Sequence, residues 1–420
     1  MAPNQPVYFQ HLPASGDAAV RTALESCKPG FALPRYFYTD PDLFGYDMRH
    51  FVMAHWHCVG HISMAPNPGD YFTAELAGES FIIARSEDNA LHAVLNVCRH
   101  RGSRVCTESQ GHAPSGRLVC PYHAWTYDCA GALLSARVTA DDLRRDLLHL
   151  KQVRLHVEEG MIFITLAKEP LGLDHVREAF AVSAKVYGWA RAKVIARKTY
   201  QIRANWKLVE ENYQECYHCG PAHQEYSKRH TYARPQAQRD APDETMRERD
   251  RALGIGLQDL DFYFSNARPG QESADSIRSA MAGNFVTGSR NGAAVAPVMG
   301  DFKGKDYDGG CSFVDVGPTS NFVAYPDYAL HYRTIPLSAD RTAFELMWLV
   351  DQDAVEGVDY QVDEVTWLWD YTSQEDKRII ELNQLGVNSA FFEPGPYGPM
   401  EIYAQQYSEW YLAALRRAVE

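Results

Sequence analysis

The sequence predicts an α+β chain with two main domains: an all-β module, then a domain in which helices pack on a curved antiparallel sheet. Three observations carry this expectation. A length of 420 residues is more than one small β module needs and leaves room for a second core. Short β-branched or aromatic runs crowd 71–76, 80–85 and 92–97 and recur at 161–167, with polar turns between them. Two longer strand-like runs, 321–337 and 342–350, precede helical patterns at about 354–370, 374–385 and 400–417. Strands followed by helices indicate α+β packing.

In chain order, residues 1–45 read as an N-terminal arm with one short helical piece, 46–167 as the β domain and 168–420 as the second domain. Between Asp40 and His57, Leu43, Phe44, Tyr46, Met48, Phe51 and Trp56 recur at helical spacing, so a helix packed on the first domain is expected. The second domain should open with a strand at 193–203 and a helix from Trp206 to Cys219. Residues 226–310 are polar and weakly periodic, the pattern of a lid or insertion over a site.

Composition excludes several classes. The net charge is −13, and no Lys/Arg block forms a stripe for nucleic acid. The first residues, MAPNQPVYFQHLPASGD, have neither the basic nor the apolar segment of a secretion signal. The longest apolar runs, such as MIFITLA, are strand-length, too short to span a membrane. Nine scattered cysteines suit a reducing compartment, and a cytoplasmic protein is expected.

Chemistry concentrates first at CRHRGSRVC and CPYHAWTY. Cys98 and His100 are two apart, Cys120 and His123 three apart, and nineteen residues lie between the pairs. A structural zinc site pairs like ligands along the chain. Here each loop supplies one thiolate and one imidazole, as a [2Fe-2S] centre of Rieske type requires when one iron takes both sulfurs and the other both nitrogens.

The second concentration is NWKLVEENYQECYHCGPAH at 205–223. On a helix Glu211, Glu215 and His218 share one face. Gly220 and Pro221 should end that helix at Cys219, leaving His223 just beyond the break. Two histidines and a carboxylate with open positions make an oxygen-activating Fe(II) site. Asp376 and neighbouring Glu375 are the candidate carboxylates, and Ser373 with Asp376 also fits an S-x-x-D helix cap. Cys216 and Cys219 read as packing residues, since no βαβ pattern precedes their C-x-x-C.

These loops resemble those of the Rieske non-haem iron oxygenases. Rieske proteins of respiratory chains carry a cross-linking cysteine in each loop, where this chain has Ser103 and Tyr122. Glu211, Asn212, Glu215, Tyr217, His218 and His223 match the family motif ENxx(D/E)xYHxxxxH. The resemblance implies a Rieske domain joined to a helix-grip catalytic domain, a [2Fe-2S] cluster on Cys98, His100, Cys120 and His123, and a mononuclear Fe(II) on His218, His223 and Asp376. It also implies that Glu215 bridges to a cluster histidine of the neighbouring subunit in a homotrimer. A separate flavin and iron–sulfur reductase is implied too, because no G-x-G-x-x-G dinucleotide motif follows a strand here.

Within the family, DAVEGVDY at 353–360 and NQLGVNSAFFEPGPYGPME at 383–401 resemble the quaternary-ammonium demethylases that act on glycine betaine or proline betaine with O2. The implied reaction is oxidative N-demethylation with release of formaldehyde. Aromatic-ring dioxygenation and a carnitine- or choline-type oxidation are the alternatives. Aromatic faces hold such cations, and Phe391, Phe392, Tyr397, Tyr403, Tyr407, Trp410 and Tyr411 are the C-terminal supply. Helical spacing makes Tyr403, Tyr407, Trp410 and Tyr411 candidates for core packing instead.

Overall fold

The computed structural model describes residues 16–137, 144–262 and 264–420, and these form two compact units. One comprises 53–170; the other joins 16–52 to 171–420. The latter grouping corrects the expected arm and the helix on the β domain. Helices α1 (Asp17–Glu25), α2 (Tyr36–Thr39) and α3 (Pro41–His50) belong to the second unit. Asp40 caps α3, its side chain accepting the Leu43 N–H at 2.8 Å, and Pro41 takes the first helical position. The reason α3 lies here is Asp47, fully buried on its apolar face, which meets Lys207 and the Tyr411 hydroxyl.

The first unit contains strands β1 (His57–His61), β2 (Asp70–Leu76), β3 (Glu79–Arg85), β4 (Leu91–Leu95) and β5 (Gln110–His112). Then come β6 (Arg117–Val119), β7 (Thr126–Asp128), β8 (Leu133–Ser135), β9 (Gln152–Glu158) and β10 (Met161–Thr165). Among the described residues a seven-stranded antiparallel sheet runs β1-β10-β9-β4-β3-β2-β5, beside a three-stranded sheet β6-β7-β8. Phe72, Phe81, Ile82, Ile83 and Phe163 are fully buried in it, as their β-branched or aromatic shape on a pleated surface favours.

The second unit continues with α4 (Asp174–Ala181), β11 (Ala192–Ile202), α5 (Trp206–Tyr213), α6 (Cys219–Ala222), α7 (Gln224–Arg229) and α8 (Gln236–Leu253). Strands β12 (Leu260–Phe262), β13 (Ala274–Ala280), β14 (Gly310–Val316), β15 (Ser320–Ala324), β16 (Ala329–Ser338) and β17 (Arg341–Asp351) follow, then α9 (Val362–Val387) and α10 (Ile402–Val419). The strands form a seven-stranded antiparallel sheet ordered β11-β17-β16-β15-β14-β13-β12. Helix α9 packs along β11 and against α5, α6 and α7. No helix among the described residues is long and apolar enough to cross a membrane.

Several expectations change. The lid expected at 226–310 instead contributes two helices and two strands, with β13 buried inside the sheet. Its polar residues are matched: Arg278 pairs with Asp250 at 3.1 Å and Asp308 at 2.6 Å. The run 321–337 is two strands, because Pro326 and Asp327 form a turn closed by the Tyr325 N–H on the Tyr328 carbonyl at 2.9 Å. The patterns 354–370 and 374–385 fuse into α9, whose 26 residues contain no proline. Ser373 is therefore mid-helix and caps nothing, and Thr372 bonds back to the Leu368 carbonyl at 2.9 Å.

Candidate metal centres and substrate cavity

The two loops of the first unit are built alike. The Cys98 N–H donates to the Ser103 carbonyl at 2.8 Å while its own carbonyl accepts from Gly102 at 3.0 Å. Cys120 does the same with Trp125 at 2.8 Å and Ala124 at 3.0 Å. The residue four beyond each cysteine has positive φ, 78° at Gly102 and 57° at Ala124. The first suits glycine, and the second makes an alanine accept a left-handed turn.

Cys98 and Cys120 are buried, and the Tyr127 hydroxyl lies 3.3 Å from the Cys98 sulfur. Burial, and then Cys98 itself, raise the Cys120 thiol above its ordinary range, a cost that metal ligation removes. His100 and His123 are exposed with ring centroids 4.6 Å apart, and His100 stacks on Trp125 at 4.8 Å. Two sulfurs on the inside and two imidazoles at the rim suit a cluster of Rieske ligation.

In the second unit the expected continuous helix breaks after Tyr213. Asn205 starts it, accepting the Lys207 N–H at 3.0 Å. Glu215 ends the regular run by taking the backbone N–H groups of Tyr217 and of His218, the latter at 3.2 Å. The break separates the supposed common face: Glu211 turns inward to the Tyr38 hydroxyl at 2.9 Å, and burial raises its pKa to about 7. The chain re-enters helix for the single turn α6, with His218 and His223 at its two ends. Pro221 sits inside that first turn, where its missing N–H costs nothing. The break also brings the Cα atoms of Cys216 and Cys219 to 4.9 Å, and the two are joined as a disulfide, which corrects their reading as packing residues.

His218, His223 and Asp376 meet with their ligand atoms within 4.8 Å of one another. Asp376 Oδ1 lies 2.8 Å from His223 Nε2 and 3.5 Å from His218 Nε2. Each outer nitrogen has its own carboxylate: Glu215 on His218 Nδ1, and Glu375 on His223 Nδ1 at 2.9 Å. Glu375 is thus placed behind a histidine, leaving Asp376 as the carboxylate facing both Nε2 atoms. Burial disfavours a charged His218, yet Asp376 and Glu215 more than offset it and raise the imidazole to about 9. The site calls for positive charge and offers an N, N, O donor set with both outer nitrogens anchored, which suits a divalent transition metal.

The triad opens into a cavity whose lining includes α5, α9, β13, β14, β16 and β17. Tyr213, Tyr226, Tyr332, Phe344 and Trp369 contribute aromatic faces, and Tyr332 lies 5.4 Å from Tyr213 and 5.6 Å from Trp369. Of the C-terminal aromatics, Tyr403 lines the cavity, Phe391 is almost fully exposed, and Trp410 and Tyr411 pack on Phe51 at 4.9 and 5.2 Å. Sequence reasoning missed Asp275 and Asp315, which also line the cavity. Their signal was an acid alternating with apolar residues on the inner face of a strand.

Residues 55–150 match the Rieske [2Fe-2S] domain, and 189–417 match the ring hydroxylating alpha subunit (catalytic domain). The chain is 32% identical over 400 residues to the glycine betaine monooxygenase oxygenase subunit of Pseudomonas aeruginosa (strain UCBPP-PA14), covering 94% of this chain and 91% of that protein. It is 36% identical over 203 residues to the carnitine monooxygenase oxygenase subunit of Escherichia coli (strain K12), covering 47% and 53%. A solved quaternary ammonium Rieske monooxygenase superposes with a TM-score of 0.69 at 20% identity, covering 97% of this chain and 99% of that one. The chain therefore belongs to the Rieske non-haem iron oxygenases, as a catalytic subunit. Its cofactors are a Rieske [2Fe-2S] cluster and a mononuclear iron.

Proposed function

We propose that this chain is a monooxygenase that N-demethylates a small quaternary-ammonium compound, drawing electrons from a separate flavin and iron–sulfur reductase. The observation that carries the reading is the N, N, O triad at the end of an aromatic-lined cavity, in a chain 32% identical to a glycine betaine monooxygenase subunit. Cys98, His100, Cys120 and His123 would hold the cluster, and His218, His223 and Asp376 the iron. With both in place, Fe(II) and the cluster supply the reductive activation of O2.

The chain's own residues then do three things. Glu215 and Glu375 accept the Nδ1 protons of His218 and His223 and hold each ring with Nε2 inward. The faces of Tyr213, Tyr332 and Trp369 hold a cation. The cavity, with the triad in its wall, brings a methyl group to the metal ligands. A quaternary nitrogen has no lone pair, so oxidation falls on a methyl C–H bond. One oxygen atom of O2 enters that bond to give an N-hydroxymethyl ammonium, and the other leaves as water after taking up two electrons and two protons. Loss of the hydroxyl proton and cleavage of the C–N bond release formaldehyde and the tertiary amine.

The same reading makes Glu215 the bridge to a cluster histidine of a neighbouring subunit, in a cytoplasmic homotrimer. The substrate reading is tested by single turnover. Protein carrying the cluster and Fe(II) is chemically reduced and exposed to O2 with quaternary amines and with an aromatic acid. Formaldehyde from a quaternary amine is expected; oxidation of the aromatic acid alone would overturn the reading.

A further inference from the structure

In the seven-stranded sheet of the second unit, Asp275 of β13 stands directly opposite Asp315 of β14. The next pair on the same face is Ile277 opposite Phe313, and all four side chains line the catalytic cavity. Like charges placed opposite one another in a sheet are destabilising. Here the cost is greater, because Asp275 is 1% and Asp315 6% exposed.

Among the described residues no Lys or Arg pairs with either acid. No Lys or Arg is among the described residues that line the cavity. Arg278, the cation on the same strand, is already committed to Asp250 and Asp308. Arg239 stacks on the Tyr232 ring at 4.4 Å and lies 3.7 Å from Asp243. The Asp315 N–H donates to Asp275 Oδ1 at 3.1 Å, and the Tyr213 phenol lies beside Asp315, yet Asp315 Oδ1 receives no donor in hydrogen-bond geometry. A buried carboxylate oxygen that lines a cavity and has no donor is an opening for a ligand. Burial, and then the facing Asp315, push Asp275 well above the usual carboxylate range, with Asp261 and Asp259 adding to the effect. Burial, and then Glu210, raise Asp315 in the same way, so the pair on its own keeps its protons, and a cation seated beside it releases them to water. Aromatic faces complete the wall, with Tyr232 and Phe313 5.0 Å apart and Tyr403 nearby.

We propose that Asp275 and Asp315 form a cation-recognising wall of the catalytic cavity, and that this chain prefers N-methylated cations without a carboxylate over zwitterionic betaines. A bound ammonium favours ionising the pair, whereas the carboxylate a betaine carries a few bonds from its nitrogen opposes it, so the same pair favours one class and disfavours the other. The inference rests on the N-demethylase reading and concerns the remainder of the substrate.

The test is calorimetric binding of choline and glycine betaine to the full chain with its cluster and iron in place, alongside formaldehyde yield in single turnover. Wild type should bind choline about tenfold or more tightly than betaine. Asp315→Asn should weaken choline about tenfold and bring the two ligands within about threefold of each other. Tighter binding of betaine by wild type, or unchanged choline binding in a folded Asp315→Asn, would overturn the proposal. If Asp315→Asn does not fold, the wild-type ratio and Asp275→Asn decide it. The N-demethylase reading fails separately, when choline binds with the expected preference but no quaternary amine yields formaldehyde.

Discussion

His223 Nε2 and Asp376 Oδ1 lie 2.8 Å apart across 153 residues of chain. One sits at the end of the single turn α6 and the other midway along α9, so the packing of α6 on α9 assembles the triad. Asp376→Ala should empty the mononuclear site while leaving the cluster, lowering iron from about three to about two per chain. The reduced cluster's EPR signal should be unchanged. Loss of cluster iron in this variant would contradict the division of ligands.

Glu375 touches the other nitrogen of His223, at 2.9 Å. Glu375→Gln should keep the triad and weaken Fe(II) binding by about 10- to 100-fold. An iron titration followed by metal analysis checks this. Loss as complete as that of Asp376→Ala would mean that Glu375 is itself a ligand.

Lys207 and Asp47 form an ion pair with almost no exposure, to which the Tyr411 hydroxyl adds a bond to Asp47 at 2.6 Å. Lys207→Met strands the Asp47 charge and should cost about 3–5 kcal/mol, whereas Lys207→Met with Asp47→Leu should recover most of it. Denaturant unfolding of the three proteins measures the cycle.

His331 is buried, stacked on Phe322 at 4.6 Å, and burial together with Arg333 lowers its pKa to about 3. The unfolded chain takes up that proton near pH 6.5 and the folded chain near 3, so between those values the unfolded state binds more protons. Stability is then lost as pH falls through this window, by at most about 1.4 kcal/mol per pH unit for one group. His331→Gln should show a shallower fall in Tm between pH 6.5 and 4. His230, lowered to about 3 by the same burial, leaves part of the slope in place.

With a cluster held by Cys98, the Tyr127 hydroxyl, 3.3 Å from that sulfur, would donate to it and favour the more electron-rich reduced form. Tyr127→Phe removes one hydrogen bond of about 1 kcal/mol, so the cluster potential should fall by roughly 40 mV. Redox titration of the Rieske absorbance reads the shift directly.

Much of the site was legible in the sequence because its chemistry uses unusual residues at short spacing. Cys98 with His100, Cys120 with His123, and His218 with His223 are each close along the chain, and the structure brings Cys98 to Cys120, His100 to His123 and His218 to His223. What was not legible depends on long-range contacts. Nothing local tells that Glu215 will capture two backbone N–H groups and break the helix, separating Glu211 from His218. Polar β13 fell within the expected lid or insertion because Arg278 finds Asp250 and Asp308 only after folding. Asp275 and Asp315 are 40 residues apart and become a pair only through sheet register.

The most direct test removes the mononuclear iron, keeps the cluster, and titrates Fe(II) back into the reduced protein before one exposure to O2 with a quaternary-ammonium substrate. Formaldehyde should rise in proportion to added Fe(II), reach a plateau near one iron per chain, and be absent in Asp376→Ala. Formaldehyde that appears without added iron, or equally in Asp376→Ala, would contradict an oxygen-activating iron held by His218, His223 and Asp376.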